Sequence, residues 1–175
     1  MNILFVSRLF KPHIGGVETH LNYLSNELLK MGHNVDVLTT RFQKELEKNE
    51  LIGEIHVSRI EYPKMKIIGL LYIWTWVIKN IKCFEKYDVI HCHDVIIWLL
   101  PLKIIKPKTK LFLTFHGYEG YPLKRREILV HRFSNILSCG TIAIGKCIDK
   151  WYGTSSDIIS TGAVDKSLFK KNPSK

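Results

Sequence analysis

The feature that most constrains the fold is an alternation of short apolar runs with longer helical patterns along the chain. Seven runs of strand length alternate with five stretches in which apolar residues recur every three or four positions. This alternation predicts an α/β fold: a doubly wound, mainly parallel sheet flanked by helices. The predicted strands are Asn2–Ser7, Val35–Thr40, Ile55–Glu61, Asp88–His91, Leu111–Phe115, Thr141–Ile144 and Asp157–Ser160, and the predicted helices are Val17–Met31, Lys66–Phe84, Val95–Ile105, Arg125–Leu137 and Lys146–Trp151.

Residues that follow the strands of such a sheet are candidates for function. In open parallel sheets, ligands bind at the carboxyl ends of the strands. Three polar segments stand at these places: Gly15-Gly16 after the first strand, His91 to Asp94 after the fourth, and His116-Gly117 after the fifth. We therefore expect any binding or catalytic site to be built from these three segments.

The glycine pair has the features of an anion-binding turn. A strand, two glycines and the start of an amphipathic helix follow one another, so a ligand can approach the backbone and the unpaired first N–H groups of the helix. The stretch does not match the G-x-G-x-x-G fingerprint or the P-loop pattern. Taken alone, Gly15 and Gly16 are equally compatible with a turn that has only a steric role.

The histidine segments admit several functions. His91 and His93 could bind a metal, but the sequence offers no evident third ligand, so we predict no metal site. His116-Gly117 resembles the oxyanion loop of some hydrolases, yet the G-x-S-x-G elbow that such enzymes need is absent from the sequence. A hydrogen-bonded loop histidine without catalytic function remains an alternative for each.

The charge of the chain predicts an anionic partner. The 175 residues carry a formal net charge of +10, and the basic residues concentrate in Lys103–Lys110, Lys124–Arg132 and Lys166–Lys175. A nucleic acid, an acidic membrane surface or a phosphorylated substrate would each suit this charge. No helix-turn-helix, RRM or zinc motif is present, and the aromatic residues lie in apolar runs, so we do not expect nucleic-acid binding.

Two further patterns bear on location. Ile67–Ile78 is the most apolar stretch but is shorter than the roughly 20 residues of a bilayer span; it predicts a buried helix or, as the alternative, a helix at a membrane interface. No signal peptide precedes the first strand, and the four cysteines lack C-x-x-C spacing. These patterns predict reduced core cysteines and a cytoplasmic protein, with peripheral attachment at the inner face of a membrane left open.

Four motifs together resemble a known family. They are Phe-Lys-Pro-His-Ile-Gly-Gly-Val-Glu at residues 10–18, Asp-Val-Ile-His-Cys-His-Asp at 88–94, Leu-Thr-Phe-His-Gly at 113–117, and Thr-Gly-Ala-Val-Asp-Lys-Ser-Leu-Phe at 161–169. In this order and spacing they resemble the N-terminal half of a family 4 glycosyltransferase, and the resemblance spans almost the whole chain. It implies the Rossmann-like N-terminal domain of the GT-B fold.

The resemblance also implies a reaction and roles for named residues. Family members transfer a sugar from a nucleotide-diphosphate donor to an acceptor, with retention at the anomeric carbon and with no obligatory metal or other cofactor. By resemblance, Gly15 and Gly16 approach the donor diphosphate, and His116 is the catalytic residue beside the transferred sugar. Glu18, Asp94 and Gly117 face the acceptor, which in many relatives is a glycan, a lipid-linked or a phosphorylated molecule at the cytoplasmic membrane face.

The sequence departs from the family pattern at its C-terminal end. Thr161 to Asp165 replace the usual Pro-Asn-Gly-Val-Asp, and the sequence ends at Lys175, before the donor-binding domain with its Glu-x7-Glu motif. We therefore expect residues 1–163 to form the acceptor-side domain and 164–175 to begin the linker. The chain alone is expected to be inactive until a C-terminal domain is supplied in cis or in trans. A non-catalytic binding module or one component of a split transferase is the alternative.

Overall fold

The chain folds around one eight-stranded sheet. The computed structural model describes residues 1–63, 65–117 and 122–161, so the predicted linker at 164–175 and the basic segment Lys166–Lys175 lie outside the described residues. The strands are β1 (Asn2–Ser7), β2 (Asn34–Thr40), β3 (Asn49–Ile52), β4 (Ile55–Ile60), β5 (Val89–His93), β6 (Leu111–Phe115), β7 (Gly140–Ile144) and β8 (Ile158–Ser160).

The strand order confirms the predicted doubly wound sheet. The order is β3-β4-β2-β1-β5-β6-β7-β8, and every pair is parallel except β3 with β4. The chain starts in the middle of the sheet, at β1, and builds outward in both directions. The two directions of winding place the connecting helices on opposite faces.

Five α-helices cover the two faces unequally. They are α1 (Gly16–Lys30), α2 (Lys66–Lys79), α3 (Leu100–Ile105), α4 (Arg125–Leu137) and α5 (Lys146–Tyr152). One core lies between α1 and the strands β1, β2 and β4, with Leu21 fully buried at its centre. The second core, on the other face, receives side chains from α2, α3, α4 and α5, among them Ile73, Leu102 and Ile148.

The element boundaries differ from the sequence predictions at several places. The helix predicted at Val95–Ile105 is a 3-10 turn over Ile96–Leu99 and becomes α-helical only at Leu100–Ile105. The strand β5 extends to His93 instead of ending at His91, because His93 pairs with both Ser7 and Thr114. The short edge strand β3 was not predicted, since its sequence Asn-Glu-Leu-Ile has little apolar character. The helix predicted at 66–84 ends at Lys79 and gives way to a 3-10 turn at Ile81–Lys86.

The structure corrects the prediction for the cysteines and refines that for Ile67–Ile78. Cys92 is buried, but Cys83, Cys139 and Cys147 are exposed, so the prediction of core cysteines is wrong for these three. The stretch 67–78 is likewise divided between a buried and an exposed side. Among the described residues, no helix has the length and apolar character needed to span a bilayer.

Candidate functional site

The carboxyl ends of β1, β5 and β6 meet at one edge of the sheet. Strand pairing aligns Ser7 of β1 with His93 of β5, and His93 with Thr114 of β6. The strand order reverses at β1, because β2 lies on one side of it and β5 on the other. Such a reversal leaves a crevice at the carboxyl edge, where ligands bind in open α/β sheets. The glycine loop and His116-Gly117 follow strands that end at this edge, whereas the segment His91 to Asp94 forms the end of β5 itself, with only Asp94 beyond the strand.

Gly15 and Gly16 form the start of α1. Gly15 is the N-cap in extended backbone (φ −160°, ψ 177°), and Gly16 is the first residue of the helix. Within the described part of the chain, no side chain hydrogen-bonds as a cap to this helix start. A Cβ built on Gly16 would meet no atom within 4 Å. The backbone at Gly16 is therefore open to a ligand, and the positive end of the helix dipole favours an anion there, although the acidic Glu18 lies in the same first turn.

The carboxylate of Glu18 lies beside the glycine pair. Glu18 is only 7% exposed, and its Oε1 lies 3.2 Å from Nδ1 of His13. A Cβ at Gly15 would overlap Oε2 of Glu18. A side chain at position 15 would therefore force the Glu18 carboxylate to move, whereas the extended φ of Gly15 is open to any residue. His13 belongs to the motif at residues 10–18, but its pairing with Glu18 was not predictable from the sequence.

Four histidines from three elements form a contiguous cluster at the same edge. Nδ1 of His93 lies 2.8 Å from Nε2 of His116, which is a hydrogen-bond distance. The ring centroids of His91 and His93 are 4.7 Å apart, and those of His20 and His116 are 5.1 Å apart. His91 Nε2 in turn lies 2.8 Å from Oγ1 of Thr114. His116 is thus held by β5 on one side and contacts α1 on another.

Burial keeps these imidazoles uncharged at neutral pH. It lowers the pKa of His116 to about 4, with a smaller contribution from nearby His20. Burial is also the main cause that lowers the pKa of His91 to about 4 and the pKa of His93 well below its usual range. A neutral imidazole can accept or donate a hydrogen bond but carries no charge. His116 is therefore suited to orient a polar ligand more than to neutralise an anion.

Asp94 fixes the backbone of His116. Asp94 adopts a left-handed conformation (φ +63°) directly after β5, and its N–H donates to the carbonyl of Thr114 at 3.1 Å. Its Oδ1 accepts a 3.0 Å hydrogen bond from the N–H of His116. Gly117, the next residue, is exposed, and a Cβ there would meet nothing within 4 Å. The acceptor-facing roles of Glu18, Asp94 and Gly117 remain predictions.

Three of the clustered histidines could in principle share a metal ion. The ligand nitrogens of His20, His93 and His116 lie within 4.8 Å of one another. Two of them already form the 2.8 Å hydrogen-bonded pair, whereas ligands of one tetrahedral zinc would stand about 3.3 Å apart. The arrangement fits a hydrogen-bonded cluster better than a preformed zinc site. The absence of a metal requirement stays a prediction.

His20 is the residue of the cluster that the sequence analysis did not single out. It lies one helical turn after Gly16, and therefore on the side of α1 that faces the same sheet edge. A histidine inside an amphipathic helix gives no signal by itself, because its sequence neighbours belong to the helix and its functional neighbours belong to β5 and β6. Only the spacing from Gly16 could have indicated it.

Two cavities lie at opposite edges of the sheet. The larger, of about 550 Å³, is bounded by residues that precede β5 and β6, at the amino edge. The smaller, of about 270 Å³, lies beside the glycine loop and is lined by Lys11, His13, Ile14, Glu18, Thr19, Asn22 and Tyr23. Its polar lining and its position beside Glu18 make the smaller cavity the one relevant to the candidate site.

Comparison with known proteins is consistent with this geometry. The model of Glycosyltransferase Family 4 matches residues 14–152. In Arabidopsis thaliana, one component of a phosphatidylinositol N-acetylglucosaminyltransferase is 28% identical over 127 residues, which cover 69% of this chain and 28% of that protein. An uncharacterized glycosyltransferase from Methanocaldococcus jannaschii is 33% identical over 104 residues, covering 54% of this chain and 25% of that protein.

Solved structures share the fold at low sequence identity. A sucrose-phosphate synthase from Thermosynechococcus elongatus superposes with a TM-score of 0.71 at 13% identity, covering 96% of this chain and 49% of that one. The lipopolysaccharide galactosyltransferase WaaB superposes with a TM-score of 0.60 at 16% identity, covering 91% and 44%. The chain thus spans about a quarter of the curated relatives and about half of these structures. With the family model matching most of its length, the chain belongs to glycosyltransferase family 4.

Proposed function

We propose that this chain is the N-terminal, acceptor-side half of a retaining glycosyltransferase. It would serve the transfer of a sugar from a nucleotide-diphosphate donor to an acceptor. The observation that carries the proposal is the meeting of an open glycine loop and a neutral, hydrogen-bonded His116 at the point where the strand order reverses. A sugar diphosphate needs both elements, one for its phosphates and one for its transferred sugar.

Gly15 and Gly16 are proposed to stabilise the departing diphosphate. Departure of the nucleotide diphosphate builds negative charge on its oxygens, and fixed N–H donors stabilise such charge without reorganising. The first turn of α1 offers these donors, and Gly16 has no side chain that would keep a phosphate away. In the proposed complex, the diphosphate lies over this turn.

His116 is proposed to hold the transferred sugar. Its Nε2 is engaged with His93, so its Nδ1 edge is the part left for a donor hydroxyl. A neutral imidazole fixed in this way positions the sugar and supports the oxocarbenium character of the transition state. The hydrogen bond from its backbone N–H to Asp94 keeps the loop in register with β5.

The acceptor is proposed to approach from the side of α1 and β5. Glu18, Asp94 and Gly117 would face it, with the polar cavity beside Glu18 available for acceptor hydroxyl groups. The name of the Arabidopsis relative specifies phosphatidylinositol, which favours a lipid-linked or phosphorylated acceptor. Arg125, Arg126 and the other cations of the segment 124–132 could bind its phosphate. The proposed location is the cytoplasmic face of a membrane.

A second domain is part of the proposal. Residues 1–163 would form the acceptor-side domain, and residues 164–175 would begin the linker to a donor-binding domain supplied in cis or in trans. The crevice at the carboxyl edge is bounded here by one domain, so donor affinity of the chain alone should be low. Two alternatives are that the chain is one component of a split transferase or a non-catalytic binding module. The first of these is favoured by the relatives named as subunits.

Substitution of His116 tests the proposal. In the protein with its donor domain present, His116→Ala should lower kcat at least about tenfold, the loss of one positioning interaction of about 1.4 kcal/mol. The matched control is His33→Ala, which removes a histidine near the other end of α1 and should leave turnover unchanged. Unchanged turnover in the His116 variant would contradict the proposed role. An inverted anomeric configuration of the product, seen by NMR, would contradict retention.

A further inference from the structure

The helix α4 packs Ile128 and Leu137 against the core, but it also buries polar residues and exposes a row of large apolar ones. Its buried residues are His131 and Ser134. Its exposed large hydrophobic residues are Leu129 (66%), Val130 (44%), Phe133 (43%) and Ile136 (80%). A helix that packs only against its own domain places its apolar stripe inward. The apolar stripe of α4 points away from the sheet, so the domain itself does not cover it.

The orientation of α4 is fixed by its inner contacts. The ring of His131 is stacked between Phe115, at a centroid distance of 3.6 Å, and Tyr152, at 3.8 Å. Arg132 Nε donates a 3.1 Å hydrogen bond to the carbonyl of Tyr152. A rotation of α4 that buried Leu129 and Ile136 would break these contacts. The outward apolar stripe is therefore a property of the folded domain.

Two other helices in this part of the fold also carry exposed apolar residues. Both α2 and α3 pack with the short 3-10 turn at Ile96–Leu99, and α4 contacts this turn too, so the three helices form one layer. Of the 19 exposed large hydrophobic residues among the described ones, 11 belong to this layer. Besides the four on α4, they are Ile67, Ile68, Leu71, Tyr72, Ile78, Ile104 and Ile105. We call this the helical-layer surface.

The helix on the opposite face gives an internal comparison. Along α1, which runs from Gly16 to Lys30, no large hydrophobic residue is among the exposed ones. Its apolar side chains Leu21, Leu24 and Leu28 all face the sheet. The two faces of one domain thus differ sharply in exposed apolar character. A concentration of exposed apolar residues on one face is typical of an interaction surface.

The charges of the helical-layer surface identify the class of partner. Within α2, α3 and α4 the sequence has a single acidic residue, Glu127, against several lysines and arginines. The exposed cations Lys79, at the end of α2, and Arg125 and Arg126, at the start of α4, lie on the same helices as the exposed apolar side chains. Apolar side chains flanked by lysine and arginine are typical of helices that lie in the interface of a membrane with anionic lipids.

We propose that the helical-layer surface docks on an anionic lipid bilayer. The leucine, isoleucine and phenylalanine side chains of α4 and α2 would enter the boundary between headgroups and acyl chains, and the neighbouring arginines and lysines would contact lipid phosphates. The purpose of this contact, to bring the protein to a lipid-linked acceptor, rests on the proposed function, whereas the contact itself does not.

Vesicle sedimentation of the full chain tests this contact without donor or turnover. Vesicles of phosphatidylcholine with about one-third phosphatidylserine should retain the chain, and pure phosphatidylcholine should retain much less. The double variant Leu129→Ser/Ile136→Ser should lower the partition coefficient at least fivefold. The matched control Met31→Ser/Leu51→Ser removes two exposed hydrophobic residues that lie outside the layer and should bind as the unaltered chain does. Circular dichroism checks that each variant folds.

Three results would overturn the proposal: no binding to anionic vesicles, equal loss in the layer and control variants, or self-association of the chain that the layer variant alone abolishes. The last result would assign the surface to protein contact. Vesicle binding with no glycosyl transfer by the two-domain protein would overturn the proposed function and leave the docking surface standing. Glycosyl transfer by the two-domain protein without vesicle binding would overturn the docking surface and leave the proposed function standing.

Discussion

Gly15 and Gly16 have different physical reasons to be glycine, and substitution separates them. A methyl group at Gly16 would enter open space, so the fold should tolerate Gly16→Ala while the methyl group obstructs the proposed diphosphate position. We predict unchanged thermal unfolding and a donor affinity lowered about tenfold or more, or about 1.4 kcal/mol. Asn26→Ala, on the exposed side of the same helix, is the control. Equal donor affinity in both variants would remove the diphosphate from this loop.

Buried neutral histidines should make the fold sensitive to acid. Burial lowers the pKa of His131 to about 4, and the Asp149 charge opposes this only in part. The histidines of the unfolded state have pKa values near 6.5, so below that pH the unfolded state binds more protons than the folded state. The stability from each such histidine is therefore complete above about pH 6.5 and declines towards pH 4, by up to about 1.4 kcal/mol per pH unit.

The variant His131→Phe tests how much one of these histidines contributes to the loss of stability in acid. Phenylalanine can keep the stack between Phe115 and Tyr152 but cannot be protonated. Its free energy of unfolding should fall less between pH 7 and pH 5 than that of the unaltered chain, as measured by denaturant titration. An identical loss in both proteins would show that His131 does not contribute to the acid sensitivity.

At the scale of elements, loss of an apolar side chain should lower the free energy of unfolding much more in α1 than in α4. Leu21 of α1 is fully buried between the helix and the sheet, whereas Ile136 of α4 is 80% exposed. Leu21→Ala should therefore cost about 2–5 kcal/mol of unfolding free energy, and Ile136→Ala should change it by less than about 0.5 kcal/mol. A large destabilisation by Ile136→Ala would mean that the domain itself buries this helix face.

The elements also show what the sequence could and could not predict. The parallel strands were predictable because each is a continuous apolar run, as β6 (Leu111–Phe115) illustrates. The end of β5 was not, because His93 is a buried polar residue that looks like part of a loop. The polarity of α4 was not predictable either, since periodicity identifies an apolar stripe but does not say which side faces the sheet.

The residues of the candidate site also divide into those that were predictable from the sequence and those that were not. Gly15, Gly16 and His116 were identifiable because each follows a strand, and the topology confirms that these strands end at one edge. His20 and His13 were not, because their partners His116 and Glu18 are determined by tertiary contacts. Sequence position indicates which residues lie at the edge, and packing decides which of them touch.

At the scale of the whole molecule, we assign separate functions to one edge and one face of the sheet. The carboxyl edge carries the glycine loop and the histidine cluster, and one face carries the helical-layer surface. The net charge of +10 suits both, because a diphosphate donor and an anionic membrane are each attracted by it. A second domain would close the crevice at the carboxyl edge and exclude water from the reacting groups.

The most direct test of the central claim is an NMR titration of the ¹⁵N-labelled chain with a nucleotide-diphosphate sugar, a method that detects weak binding. We predict that the amide shifts concentrate at Gly15, Gly16 and His116, and that the corresponding nucleoside without phosphates produces much smaller shifts. Shifts at the opposite edge, in the cavity between Phe84 and Lys110, or equal effects of nucleoside and donor, would contradict a donor site at the carboxyl edge.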